Sequence, residues 1–284
     1  MAHVKATVHG AVSIVNALAL GKGAALGISK KVNVDIETLS GNGIIIEAKN
    51  KRISSRLINK VVEKIIPKKD LSQLKLKIHL DSDIPTGYGL KSSSAISSAV
   101  ALCCAKLYKP SINDFEILSY GVNASIETKV SLTGAYDDAC ACYYGGFNVT
   151  DNYKRKIISY EKCQNDISAV IFIPKSRKRG NFRKLKTLKT VFEHAWNLAK
   201  NSDYWNAMII NGIATSAILN SDPKIISKLI ENGALGASVS GNGPSIAAIA
   251  KNNVLPDIKN VFSSLEGITT VSQINNKKAE VHEL

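Results

Sequence analysis

A chain of 284 residues exceeds what most single compact cores hold and suits two modest domains. Apolar residues at 45% and charged residues at 21% mark an ordinary globular protein, and no apolar run approaches the ~18 residues that a membrane-spanning helix needs. The net charge of +14 admits nucleic acid or anionic small molecules. Basic residues are spread along the chain, however, and the densest cluster, KSRKRGNFRKLK at 175–186, holds a single aromatic, Phe182, with no recognised nucleic-acid module around it. Phosphorylated small ligands are the better reading.

The opening MAHVKATVHGAV has no cationic region followed by an unbroken apolar core. No secretory signal is therefore expected, and the expected location is the cytoplasm. HVKATVH and KKVNVDIETL alternate apolar with polar residues, as half-buried strands do. GIIIEA and LKLKIHL repeat that pattern, with RLINKVVEKII between them as a helix capped by Ser54 or Ser55 and stopped by Pro67. In SSSAISSAVALCCAKLY, Ala95, Ile96, Ala99, Val100, Cys103 and Leu107 recur at helical spacing, which predicts an amphipathic or fully buried helix. INDFEILSYGVNASIE reads as a second helix capped by Asn113; the Gly145-Gly146 turn then leads to the strands FNVT and KIISYE.

From SAVIFIP onward the character changes. A strand closed by Pro174 precedes the basic loop and three helical stretches, LKTVFEHAWNLAK, YWNAMIINGIATSAIL and PKIISKLIENG. Pro223 suits the first turn of the last one and Gly233 its C-terminal cap. ALGASVS and SIAAIA are short strands around SGNGPS; the helix NVLPDIKNVFSSL, the strand TTVSQI and a polar tail complete the chain. The expected class is α+β, with domains at 1–165 and 166–284. Five cysteines, Cys103, Cys104, Cys140, Cys142 and Cys163, form an odd set without paired Cys-x-x-Cys spacing, so buried reduced thiols are expected and not zinc.

Three separated stretches carry chemistry. In DIPTGYGLKSSSA, Gly87 and Gly89 permit backbone angles that other residues avoid, and Ser92, Ser93 and Ser94 open a helix whose free N–H groups favour an anion. Hydroxyls there can cap the helix, bind a phosphate or ligate magnesium. The stretch matches neither G-x-x-x-x-G-K-[ST] nor G-x-G-x-x-G, so neither the Walker loop nor the dinucleotide fingerprint applies. In LTGAYDDACACYYGG, Asp137 and Asp138 lie amid small, apolar and aromatic residues, where an unpaired charge is costly. Helical neighbours diverge by about 100°, so the two carboxylates are expected to do different jobs. In GASVSGNGPSIAAIA, glycines between two strands suit either a hairpin or a loop covering a phosphate-bearing ligand.

In this order the three stretches resemble the GHMP kinases, the small-molecule kinases named for galactokinase, homoserine kinase, mevalonate kinase and phosphomevalonate kinase. PTGYGLKSSSA is similar to their phosphate loop and SGNGPS to their C-terminal glycine motif. TGAYDDA followed by YYGG and TDN, with VNALALGKGAALGI near the start, resembles the archaeal-type shikimate kinases. The resemblance implies an N-terminal domain like domain 2 of a small ribosomal-protein fold and a ferredoxin-like C-terminal domain, with ATP between them. It implies phosphate contacts from Pro85, Thr86, Gly87, Tyr88, Gly89, Leu90, Lys91, Ser92, Ser93, Ser94 and Ala95, with Gly241 and Gly243 opposite. Asp137 falls on the catalytic aspartate, Ser93 on a serine that ligates Mg2+, and Glu127, across a one-residue gap, near the acidic metal ligand.

One departure stands out. Mevalonate-type kinases carry a lysine in an N-terminal A-P-G-K motif, whereas His9 stands there in this chain. Lys22 or Lys91 is expected to supply the missing charge at the catalytic aspartate, and Lys22 or Arg177 to meet an acceptor carboxylate. The implied activity is ATP- and Mg2+-dependent phosphorylation of shikimate to shikimate 3-phosphate, a step toward chorismate and the aromatic amino acids. Homoserine, mevalonate and pantoate remain alternative acceptors. A basic nucleic-acid-binding protein and a binding module without turnover remain alternative functions. Neither nucleic acid nor membrane is the expected partner, and oligomeric state is left open.

Overall fold

The structure, a computed structural model, describes residues 2–49 and 53–284. Its first sheet is built on a long antiparallel pair, β1 (His3–Val15) and β2 (Lys22–Ser40). Alternate residues of β1 are buried from Val4 to Val8, as the alternation predicts, and then every residue is buried from Gly10 to Val15. That change of pattern marks where the strand passes between the two halves of the molecule. Beyond β2 lie β3 (Gly43–Ala48) and β4 (Leu74–Ser82), a parallel pair joined through α1 (Ser55–Ile65) and the short α2 (Lys68–Leu71). The Ser54 hydroxyl caps α1, and Ile66 turns extended before Pro67, whose ring disfavours a helical predecessor.

α3 (Ser92–Tyr108) packs against β1 and β2 and against α1 and α4 (Asp114–Glu127). Its small residues are buried on every side from Ser94 to Ala105, so it is the fully buried helix of the two alternatives. α4 starts in a capping box between Asn113 and Glu116. α5 (Tyr136–Tyr144) also packs on β1 and β2, and the first residues of β2 pair with β5 (Phe147–Asp151), which pairs with β6 (Lys156–Glu161).

The second sheet begins at β7 (Ile167–Pro174). α6 (Lys189–Lys200), α7 (Tyr204–Ile218) and α8 (Pro223–Glu231) lead to β8 (Gly236–Val239), β9 (Ile246–Lys251), α9 (Leu255–Phe262) and β10 (Gly267–Gln273). The order β10-β7-β9-β8, antiparallel throughout, is the β-α-β-β-α-β arrangement of ferredoxin-like domains. Residues 182–188 of the basic segment form a 3-10 helix, capped by Asn181 and pinned by the fully buried Leu185.

The chain end departs from expectation. The polar tail forms β11 (Glu280–Glu283), which crosses back to pair with β1 through Val4 and Glu283. The second sheet therefore starts close to residue 166, while the last residues belong to the first sheet. Four mostly polar residues carry too little periodicity to announce a strand. All five cysteines are free and buried. Among the described residues no helix is long and apolar enough to cross a membrane.

Candidate active site

A cleft of about 730 Å3 lies where the two sheets' loops meet. One wall is the N-terminus of α3. Gly87 and Gly89, both at φ +83°, bend the chain so that the backbone before α3 faces the cleft, and Lys91 takes a left-handed conformation at the N-cap. The first α3 amide with an intrahelical partner is that of Ala95, bonded to the Lys91 carbonyl, and the hydroxyl-bearing Ser92, Ser93 and Ser94 all line the cleft. Free amides at a helix start carry partial positive charge and suit phosphate oxygens.

The cleft is also lined by the first turn of α5, where the two carboxylates diverge as helical geometry demands. Asp137 is buried at 3% exposure. Its Oδ1 accepts a 2.7 Å hydrogen bond from Asn152 Nδ2, and its amide donates to Asn152 Oδ1 at 3.1 Å. Thr150 Oγ1 donates to the same Asn152 oxygen at 2.7 Å, fixing which way the amide faces. Burial, then the charge of Asp138, push the Asp137 carboxyl up to about 7; Lys91 and the Asn152 hydrogen bond oppose that rise. Asp137 Oδ2 reaches over Gly23, where any Cβ would collide with it. Asp138 turns instead to Lys91, whose Nζ lies 2.8 Å from Asp138 Oδ1.

Lys91 ties the halves of the site together. Its ammonium is almost wholly buried and donates to Ser13 Oγ at 2.7 Å. Ser13 Oγ also accepts from the Gly241 amide at 2.9 Å, and the Ser13 amide donates to Ser240 Oγ at 3.2 Å. Ser240 Oγ in turn donates to the Gly89 carbonyl at 2.9 Å. The end of β1, the glycine loop before α3 and the β8–β9 turn thus share one hydrogen-bonded junction. A Cβ at Gly89 would strike the Ser240 carbonyl, so glycine is required there both by its angle and by this approach.

Two family models match the chain, "GHMP kinases N terminal domain" over residues 56–146 and "GHMP kinases C terminal" over residues 221–263. A protein of Methanosarcina mazei named shikimate kinase is 36% identical over 95% of this chain and 94% of its own length. The chain belongs to the GHMP kinases. A second protein named shikimate kinase, from Methanothermobacter thermautotrophicus, is 31% identical over 99% of each chain. Among solved structures, a homoserine kinase from Cytophaga hutchinsonii superposes with a TM-score of 0.76 over 99% of this chain and 97% of its own, at 16% identity, a likeness of fold.

This GHMP kinase brings some of the expected site residues together and separates others. Gly87, Gly89, Lys91, Ser92, Ser93, Ser94, Asp137 and Gly241 all line the cleft. Pro85, Thr86, Tyr88, Leu90 and Ala95 do not: Leu90 and Ala95 are core, and Tyr88 lies beneath the Arg177 guanidinium at 4.5 Å. Gly243 shapes the turn behind Gly241, its amide donating to the Ser240 carbonyl. Lys22 is directed elsewhere, with its ammonium 4.8 Å from the centre of the Trp196 ring. Arg177 is held outside the cleft, donating to the Thr86 carbonyl at 3.0 Å. His9 sits in β1 away from the cleft, its pKa lowered chiefly by burial and then by Lys31.

Glu127 is a correction. Its carboxylate pairs with Lys64 and Lys60 of α1, while Ser125 and Ile126 line the cleft. Two residues along a helix is a turn of about 200°, so Ser125 and Glu127 face nearly opposite directions. Ser13, Asn152 and Arg183 were not singled out from sequence. Asn152 had a signal, the conspicuous TDN after the glycine turn; Ser13 at a strand end had none.

Proposed function

We propose that this GHMP kinase transfers the γ-phosphoryl group of ATP to a hydroxyl of shikimate. The observation that carries the reading is one cleft lined by a buried carboxylate, Asp137, and by a helix N-terminus behind two glycines, with a buried lysine paired to the neighbouring Asp138. Phosphoryl transfer asks for positioning and charge neutralisation more than covalent chemistry. The amides from Ser92 to Ser94 would hold the β- and γ-phosphates. Asp137, oriented by Asn152, would accept the proton as the acceptor oxygen bonds to phosphorus and ADP leaves. A carboxyl raised by burial is a better base at neutral pH than an exposed one. Lys91 would stabilise the charge in the cleft in place of the N-terminal lysine that this chain lacks.

Among the described residues no three His, Cys, Asp or Glu side chains cluster as a metal cage. Mg2+ is usually held by one or two protein ligands and substrate phosphates. Ser93, which lines the cleft at the helix start, fits as such a ligand. The ion, when bound, neutralises phosphate charge. The acceptor is assigned from the relatives named shikimate kinase, similar over nearly the full chain. An ADP-release assay against shikimate, homoserine, mevalonate and pantoate tests it: turnover on shikimate is expected, and preference for another acceptor overturns the assignment.

A further inference from the structure

A smaller pocket of about 190 Å3 opens off the cleft, lined by Leu18, Leu132, Phe182, Arg183 and Lys186. It lies at the Asp137 end. Leu18 follows Ala17, which converges with Asp137 on Gly23, and Leu132 precedes Thr133, whose Oγ1 is 3.5 Å from the Asn152 amide that holds Asp137. A molecule held here would therefore lie beside Asp137.

The pocket has an unusual chemistry: three apolar side chains and two cations, with no carboxylate in its lining. Among the described residues neither Arg183 nor Lys186 has an ion-pair partner, and the bond from Arg183 to Asn181 Oδ1 is made by its backbone amide and not by the guanidinium. The neighbouring arginines are engaged. Arg177 covers Tyr88, and Arg179 donates to the carbonyls of Asn242 and Gly243. Arg183 is also carried on a fixed base, since Leu185 is buried in the core and Asn181 caps the 3-10 helix. A guanidinium on a rigid support is preorganised for two parallel hydrogen bonds to a planar carboxylate.

We infer that Arg183 recognises the acceptor's carboxylate, with Lys186 adding positive field and Leu18, Leu132 and Phe182 packing against the carbon ring. The inference rests on the shikimate reading, because shikimate joins a carboxylate, a six-membered ring and three hydroxyls. It replaces Lys22 and Arg177, which the fold directs away from the cleft. Lys129 lines the main cleft but not this pocket and is the rival cation.

The test is steady-state kinetics on wild type, Arg183→Met, Arg183→Lys and Lys129→Met, with shikimate and its uncharged methyl ester. Arg183→Met is expected to raise KM for shikimate on the order of 10- to 100-fold, the range for losing hydrogen bonds to a charged group. KM for ATP and the thermal shift produced by Mg-ATP are expected to stay at wild-type values, which certifies the fold. Wild type is expected to favour shikimate over the ester, Arg183→Met to lose that preference, and Arg183→Lys to recover part of it. Equal weakening toward acid and ester, or loss of preference only in Lys129→Met, overturns the assignment. Absence of wild-type turnover on shikimate overturns the acceptor reading and this inference with it, whereas wild-type turnover with an indifferent Arg183→Met overturns this inference alone.

Discussion

Asp137→Asn is expected to slow turnover and, in the same protein, to stabilise the fold above neutral pH. The carboxyl is raised from its ordinary 3.8 to about 7, first because burial disfavours the charged form and then because Asp138 is its neighbour. The folded chain therefore keeps a proton that the unfolded chain has released. Stability falls as pH rises from 3.8 toward about 7 and is level above that. Roughly three pH units at about 1.36 kcal/mol each set a ceiling near 4 kcal/mol at pH 8, of which less than half remains at pH 5. Asparagine removes the ionisable group and keeps the volume. Its melting temperature without nucleotide should exceed wild type at pH 8 by several degrees, and the advantage should shrink by roughly 2–3 kcal/mol equivalent at pH 5. Turnover should fall about 10²- to 10⁴-fold, the usual contribution of a positioned base. A stability difference that ignores pH would refute the burial argument, and turnover within a few-fold of wild type would refute the catalytic one.

The remaining predictions concern its neighbours. Lys91→Met removes a charge that holds the Asp137 pKa down, so the acid limb of the kcat/KM profile should move to higher pH and kcat should drop; an unmoved limb would show that Lys91 is not coupled to the base. Gly23→Ala places a methyl against Asp137 Oδ2 and should cost on the order of 10²-fold in kcat by displacing the carboxylate, with KM for ATP little changed. Glu127→Gln breaks the pairs to Lys64 and Lys60, both outside the cleft, and should leave turnover and its dependence on Mg2+ concentration at wild-type values; a raised Mg2+ requirement would return Glu127 to the metal site.

Much of the site was legible because its parts are local. A glycine-rich turn before a serine-capped helix, and an aspartate pair in uncharged surroundings, announce themselves within a dozen residues, and the helix rule already separated Asp137 from Asp138. Their order along the chain was enough to indicate the kinase family. Glu127 was less legible: side chains one residue apart on a helix differ by about 100° in direction, and the fold turns this carboxylate to Lys64 and Lys60, away from the cleft lining.

What the sequence determined by itself was therefore the set of groups available: a glycine-rich turn before a serine-opened helix, a carboxylate pair in uncharged surroundings, and a surplus of cations. Which group each cation meets was decided only by the fold. Lys91 reaches Asp138 and Ser13, 78 residues away, and Ser13 reaches Gly241 across 228 residues. No periodicity encodes such meetings, because they follow from how β1, α3, α5 and the β8–β9 turn pack. The basic segment at 175–186 reads as one uniform cluster in sequence; in three dimensions one arginine lies over Tyr88, another over the glycine turn, and Arg183 lines the smaller pocket. The reason is that charge is written residue by residue, whereas direction is set by the core that anchors each backbone, here Leu185 beneath a single 3-10 helix.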